Sequence, residues 1–229
     1  MNKYVLIVAG GKGLRMGGDL PKQFIPMRGK PLLMHTLEAF HRWDASARII
    51  LVLPEDHQPY WNMLCKEIGC KVPHAIVKGG DTRFFSVKNG LDWLLAERRR
   101  KDSGLSLVAV HDGVRPFVSP EVVEACFDKA AVTGAVIPVV PMIDSLRETD
   151  EKGSHPVDRS RYMAVQTPQV FHLELLTKAY EQPYSSLFTD DASVVEAMGH
   201  AIDTVPGDRE NIKITTPFDL LIAEAMFAR

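Results

Sequence analysis

The amino-acid sequence predicts an α/β fold: a doubly wound, mostly parallel sheet with right-handed crossovers and one protruding β-hairpin arm. Three observations carry that expectation. Apolar, β-rich runs alternate with segments of helical period along most of the 229 residues. Several of these runs are continuously apolar, as in strands covered by helices on both faces. One stretch, 141–166, breaks the alternation with Pro141, Gly153, Pro156 and many charges. The length suits a single domain over 1–229, with 141–166 as its arm.

Taken in order, residues 4–9 form an unbroken apolar run that ends at Gly10-Gly11 and read as the first strand. A short helix closes over 38–43. A second strand is expected at 48–53, a helix at 60–68 and a third strand at 72–77. From 82 to 97, Phe84, Val87, Leu91, Leu94 and Leu95 make one helical stripe. A fourth strand spans 105–110. Ser119 is placed to cap a helix over 120–131, with Pro120 in its first turn. A fifth strand follows at 135–140. Within the arm, 145–149 and 162–165 read as two short β stretches. An arm of that size cannot bury its own apolar face, so a partner subunit is expected to cover it. Helices near 173–180 and 190–198, a strand at 201–205 and a helix over 217–227 complete the chain.

Composition narrows the function. Hydrophobic residues make up 45% and charged residues 24%, ordinary for a soluble globular protein. The formal net charge is −2, so no global positive field attracts nucleic acid or anionic lipid. The basic run Arg98-Arg99-Arg100-Lys101 reads as a solvated helix end. Cys65, Cys70 and Cys126 are odd in number and contain no C-x-x-C, which argues against a disulfide framework or zinc knuckle and for a reduced, cytoplasmic protein. No apolar run approaches a membrane span, and no signal peptide is expected.

In a doubly wound sheet, ligands bind beyond the carboxyl ends of the strands. Three segments there carry chemistry: 10–22 after the first strand, Gly79-Gly80-Asp81 after the third, and His111-Asp112 after the fourth. The run Ala9-Gly10-Gly11-Lys12-Gly13-Leu14-Arg15-Met16, followed by Pro21-Lys22-Gln23, is the strongest signal. Its glycines let backbone N–H groups approach phosphate oxygens, and Arg15 and Lys22 add two cations. It lacks the G-x-x-x-x-G-K-[ST] of a P-loop. Met16 stands where a dinucleotide fingerprint needs its third glycine, and Pro21 interrupts the helix that should follow. A basic glycine loop of this kind suits a triphosphate whose α-phosphorus is attacked while pyrophosphate leaves.

The run G-G-x-G-x-R-M … P-K-Q-F resembles the sugar-phosphate nucleotidyltransferases. The rest of the chain resembles the 2-C-methyl-D-erythritol 4-phosphate cytidylyltransferase family. The segments that carry the resemblance are Gly79-Gly80-Asp81-Thr82-Arg83 with Ser86, Val110-His111-Asp112-Gly113-Val114-Arg115-Pro116, Asp158-Arg159, Gln166-Thr167-Pro168-Gln169, Thr189-Asp190-Asp191-Ala192-Ser193 and Asn211-Ile212-Lys213-Ile214-Thr215, in family order from end to end. The resemblance implies a Rossmann-like nucleotidyltransferase that joins CTP to a small polyol phosphate. It implies Arg15, Lys22 and Lys213 around the α-phosphate as catalytic cations. Ala9, Gly10, Gly11, Gly13, Gly80, Asp81, Ser86, Asp112 and Gly113 would bind the nucleotide, with Gly80 and Ser86 reading the cytosine edge. Asp112 and Arg115 would contact the acceptor, together with Ser145, Arg159, Thr167 and Thr189. In the family some acceptor contacts come from the neighbouring subunit's arm, and Arg159 and Thr167 match those positions, as does Thr189. A homodimer through the arm follows from the same likeness.

Two positions depart from the family pattern. Gly113-Val114 replaces the usual Ala-Ala, as in the related ribitol 5-phosphate cytidylyltransferases, and Ser145 stands where Thr is common. Read without the family, the residues also admit a nicotinamide-dependent oxidoreductase or a non-catalytic nucleotide sensor. No protein metal site is expected; Mg²⁺ is implied by the triphosphate and held mainly by its oxygens. His111 reads as a satisfied hydrogen-bonding residue, since a phosphate nucleophile is already an anion. Lys213, between Ile212 and Ile214, would point away from their face if it lay in a strand.

Overall fold

The centre of the molecule is β1 (Asn2–Val8), whose alternating side chains enter two different apolar layers. Val5 and Ile7 pack on one face of the sheet with Leu33, Phe40, Trp61 and Phe127. Tyr4 and Leu6 pack on the other with Phe84, Leu91, Leu176 and Val195. A strand buried on both faces must be apolar at consecutive positions, which is why its sequence does not alternate.

The computed structural model describes residues 1–11, 20–98 and 104–228. The remaining strands are β2 (Pro26–Met27), β3 (Lys30–Pro31), β4 (Arg48–Leu53), β5 (His74–Lys78), β6 (Ser106–Asp112), β7 (Ala135–Pro141), β8 (Arg147–Asp150), β9 (Gly153–Pro156), β10 (Met163–Val165), β11 (Gln169–His172) and β12 (Asp203–Pro206). The α-helices are α1 (Leu32–Trp43), α2 (Gln58–Ile68), α3 (Arg83–Glu97), α4 (Pro120–Thr133), α5 (Leu173–Ala179), α6 (Asp191–Glu196) and α7 (Pro217–Phe227). Among the described residues the main sheet has eight strands, with β5, β4, β1 and β6 adjacent and parallel. Antiparallel β11 lies between β6 and β7. Val136 pairs with both Val170 and Asp203, so β11 and β12 occupy opposite edges of β7.

The expected class is observed, and the differences are local. β6 runs on through His111 and Asp112, which therefore end the strand rather than follow it. β5 starts at His74 and not at 72. The helix expected at 38–43 begins six residues earlier, at Leu32, directly after Pro31. Ser119 caps α4 by accepting a hydrogen bond from the Val122 N–H, as expected.

The arm is paired differently from expectation. β8 pairs with β9, whose Gly-Ser-His-Pro sequence has no β signature, and all eight residues are exposed. The stretch at 162–165 instead supplies β10, which is hydrogen-bonded to β7 in the main sheet. Gln166, at the end of the expected arm, is buried. β11 was not expected at all. Its four residues become a strand because β6 and β7 offer edges on either side, not because of their own pattern.

Candidate active site

The carboxyl ends of β1, β5 and β6 open into one cleft of about 240 Å³. Ala9, Gly10, Gly11, Lys22, Gly80, Asp81, Ser86, Asp112 and Lys213 all line it. Gly13 and Arg15 lie outside the described residues, as do Arg99, Arg100 and Lys101; Arg98 is paired with Glu174 at 2.9 Å.

The start of the glycine loop is pinned from two sides. Ala9 N–H donates to the Val52 carbonyl at 3.0 Å, and the Ala9 carbonyl accepts from Gln23 Nε2 at 2.9 Å. Pro21 opens a 3-10 turn over Lys22–Phe24 that turns Lys22 back over the loop. A Cβ on Gly11 would lie 3.3 Å from Lys22 Cε and 3.7 Å from its Nζ, so the lysine head rests against bare backbone. Gln23 is buried, and its place in the Pro21-Lys22-Gln23 motif is explained by its brace on the loop at Ala9.

The second wall is the loop between β5 and α3. A Cβ on Gly80 would stand 2.4 Å from Phe85 Cβ, so only glycine fits there. Ser86 Oγ accepts from the Gly80 N–H at 3.0 Å and donates to the Thr82 carbonyl at 2.9 Å. The hydroxyl thus shapes the loop it was expected to read from. Asp81 is exposed at the cleft wall.

Arg83 follows the Gly79-Gly80-Asp81 segment, and nothing in its sequence neighbourhood names its partner. It lines the cleft while its guanidinium pairs bidentately with Asp191, Nη1–Oδ1 at 2.8 Å and Nη2–Oδ2 at 2.6 Å. The Asp191 side chain is fully buried and also accepts from Tyr180 Oη at 2.6 Å. The two partners are 108 positions apart, so no local pattern links them.

Asp112 is the electrostatic centre. Its Oδ2 accepts from Lys213 Nζ at 3.0 Å and from Arg115 Nε at 3.2 Å. Burial alone would raise its pKa. The positive charges of Lys213, Arg83 and Arg115 outweigh burial and hold the carboxyl well below the usual carboxylate range. Lys213 is delivered by a coil, since no strand forms at 212–214. Ile214 is buried and its N–H donates to the Val114 carbonyl at 3.0 Å; Asn211 Nδ2 donates to the Thr167 carbonyl at 2.8 Å. These anchors leave Lys213 directed at the cleft. Arg115 also donates from Nη1 to the Asn211 carbonyl at 2.7 Å.

The other expected acceptor residues divide. Thr167, which the family likeness assigns to a neighbour's arm, does not line the cleft and sits behind Asp112 of its own chain. It is buried, and its hydroxyl accepts from the Asp112 N–H at 3.1 Å. Ser145 and Arg159 are exposed on the arm, where Arg159 Nη1 donates to the Ile143 carbonyl. Thr189 is exposed two positions before Asp191. Gly113 spends both backbone groups on scaffold: its N–H on the Val8 carbonyl at 2.9 Å, its carbonyl on Thr36 Oγ1 at 3.0 Å. A Cβ there would meet the Ala9 Cβ at 2.8 Å, a contact that sets how closely β6 approaches β1.

A family model described as IspD, 2-C-methyl-D-erythritol 4-phosphate cytidylyltransferase, matches residues 4–229. A 2-C-methyl-D-erythritol 4-phosphate cytidylyltransferase of Bacteroides fragilis is 56% identical over 226 residues, spanning 99% of this chain and 100% of the relative. The fold is similar to the crystal structure of 4-diphosphocytidyl-2C-methyl-D-erythritol synthase from Anaerococcus prevotii, with a TM-score of 0.81 and 28% identity over 100% of this chain and 96% of that one. It is also similar to that of 2-C-methyl-D-erythritol 4-phosphate cytidylyltransferase from Thermus thermophilus, with a TM-score of 0.75 and 32% identity over 100% of both chains.

Proposed function

Since the chain belongs to the IspD family of 2-C-methyl-D-erythritol 4-phosphate cytidylyltransferases, we propose that its cleft moves the cytidylyl group of CTP onto 2-C-methyl-D-erythritol 4-phosphate. The products are 4-diphosphocytidyl-2-C-methyl-D-erythritol and pyrophosphate, and the reaction serves isoprenoid precursor synthesis. One observation carries the reading: Lys22 and Lys213, from opposite ends of the polypeptide, line one cleft beside the glycine loop.

A phosphate oxygen of the acceptor attacks the α-phosphorus in line, one P–O bond forms, and the bond to the β-phosphate oxygen breaks. The nucleophile is already an anion, so no general base is needed. Catalysis is positioning and charge stabilisation. Lys22 and Lys213, with Arg15, neutralise charge on the pentacoordinate phosphorus. The Gly10 and Gly11 backbone cradles the triphosphate. Gly80 and Ser86, with Asp81, fit the cytosine end, where a rigid loop of fixed donors and acceptors rejects uracil. Asp112 and Arg115 face the acceptor.

The donor set bears on the divalent cation. Asp112, the buried acid of the cleft, already serves Lys213 and Arg115. The cleft's cations and backbone amides are not metal ligands, so a magnesium ion would be held mainly by the triphosphate oxygens and would supply charge neutralisation for the leaving group.

The proposed assembly is a homodimer through the arm. The exposed β8–β9 ribbon and the exposed apolar side chains of Ile143, Tyr162 and Met163 support it. Ser145, Arg159 and Thr189 are then proposed to reach the acceptor, the arm residues from the partner subunit. Mixing an inactive Arg115 variant with an inactive Arg159 variant tests this: a shared site restores partial activity, and separate sites restore none. Three free cysteines suit a cytoplasmic location. The function is tested by pyrophosphate release from CTP, UTP, ATP and GTP with either 2-C-methyl-D-erythritol 4-phosphate or ribitol 5-phosphate. The reading requires release with CTP and the methylerythritol acceptor. Preference for ribitol 5-phosphate, to which Gly113-Val114 points, would reassign the acceptor.

A further inference from the structure

We infer that His111 is a positioning residue for the acceptor half of the site, acting through a closed hydrogen-bond circuit with Thr167, Asp112 and Arg115. The inference rests on the transferase reading above but concerns a side chain that does not line the cleft.

The proton positions in the circuit follow from the chemistry of each partner. His111 Nε2 lies 3.0 Å from the Arg115 carbonyl oxygen. A carbonyl only accepts, so Nε2 carries the hydrogen. The ring is fully buried, and burial keeps it neutral, with its pKa lowered to about 4. Nδ1 is therefore a lone pair, and it faces Thr167 Oγ1 at 3.1 Å. Thr167 must give its hydroxyl hydrogen to that nitrogen. The same oxygen accepts from the Asp112 N–H at 3.1 Å. The Arg115 N–H then returns to the Asp112 carbonyl at 3.1 Å and closes the circuit.

Two consequences follow. The turn from Asp112 to Arg115 is held from both ends by one imidazole, and that turn aims the carboxylate on which Lys213 and Arg115 rest. Thr167 has no hydrogen left to offer outward. Its hydroxyl is committed inside the protein, to the Asp112 N–H and to His111, so it acts by fixing the Asp112 backbone behind the cleft. A nitrogen-free side chain at 111 would free the Thr167 hydroxyl to rotate and strand the Arg115 carbonyl, loosening the acceptor side while leaving the glycine loop and the Gly80 wall untouched.

The test is His111→Phe, which keeps an aromatic ring against Phe40, now 4.7 Å away between centroids. We expect kcat/KM for the acceptor to fall about 30-fold, the scale of buried polar groups losing their partners, with KM for CTP within about twofold. His111→Asn, whose amide oxygen can take the place of Nδ1, should recover part of the loss. Thr167→Val should match His111→Phe, and the double variant should be no worse than the poorer single one. Nitrogen-15 NMR of the wild-type imidazole should show the neutral Nε2–H tautomer. A folded His111→Phe enzyme with wild-type acceptor kinetics would overturn the inference, and so would an Nδ1–H tautomer. If His111→Phe fails to fold, Thr167→Val and the tautomer decide. A wild-type protein that releases no pyrophosphate would refute the function instead, and the tautomer would still judge the circuit.

Discussion

Lys213→Ala separates chemistry from scaffold. The lysine head is 3.0 Å from Asp112 Oδ2, but its side chain is 43% exposed against 13% for its partner. An ion pair with one solvated member contributes about 1 kcal/mol or less to stability. The proposed transition-state role is larger: withdrawing one fixed positive group from a phosphorus gaining charge costs about 3 kcal/mol, on the order of 100-fold in turnover. Arg83 and Arg115 still hold Asp112 ionised at neutral pH, so the loss does not come from protonation of that acid. The assay is pyrophosphate release with CTP and acceptor both saturating, beside a thermal melt of the same sample. The account predicts a near-native melt with a hundredfold lower kcat. Turnover within a few-fold of wild type, or a fall in activity matched by unfolding, would refute the assigned role.

Gly80→Ala forces a methyl to within 2.4 Å of Phe85 Cβ; a stability loss of about 2 kcal/mol and weaker CTP binding by calorimetry are expected. Arg83→Met leaves the fully buried Asp191 with Tyr180 but no cation, and chemical denaturation should show a loss of about 3–5 kcal/mol. His111 has a folded pKa of about 4, below its ordinary value of about 6.5. The unfolded chain therefore binds more protons in that window, and stability should fall by about 3 kcal/mol as pH drops from 6.5 to 4. His111→Phe should flatten that slope. Asp112, whose pKa is depressed, stabilises the fold above the unfolded carboxyl range and loses that contribution only at still lower pH.

The parts legible in the sequence are those whose signal is local. β1, β4, β6 and β7 are continuous apolar runs because helices cover both faces. Gly10, Gly11 and Gly80 mark places where backbone must come close. β9 and β11 were not legible, because an edge offered by a neighbour made them strands. The same applies to 162–165, a β-like stretch whose partner proved to be β7 and not the arm. Within the site, Lys213 was identified but its delivery was not. Strand alternation was the available argument, whereas a coil anchored by Ile214 and Asn211 does the work. Arg83 with Asp191, and His111 with Thr167, join positions 108 and 56 apart, and nothing near either residue announces its partner.

The most direct measurement is a crystal structure of the enzyme with CTP and magnesium. The account predicts the α-phosphate in the cleft with Lys22 Nζ and Lys213 Nζ both within about 3 Å of its oxygens, and the base against Gly80 and Ser86. A triphosphate bound elsewhere, or an α-phosphate beyond reach of either lysine, would contradict it.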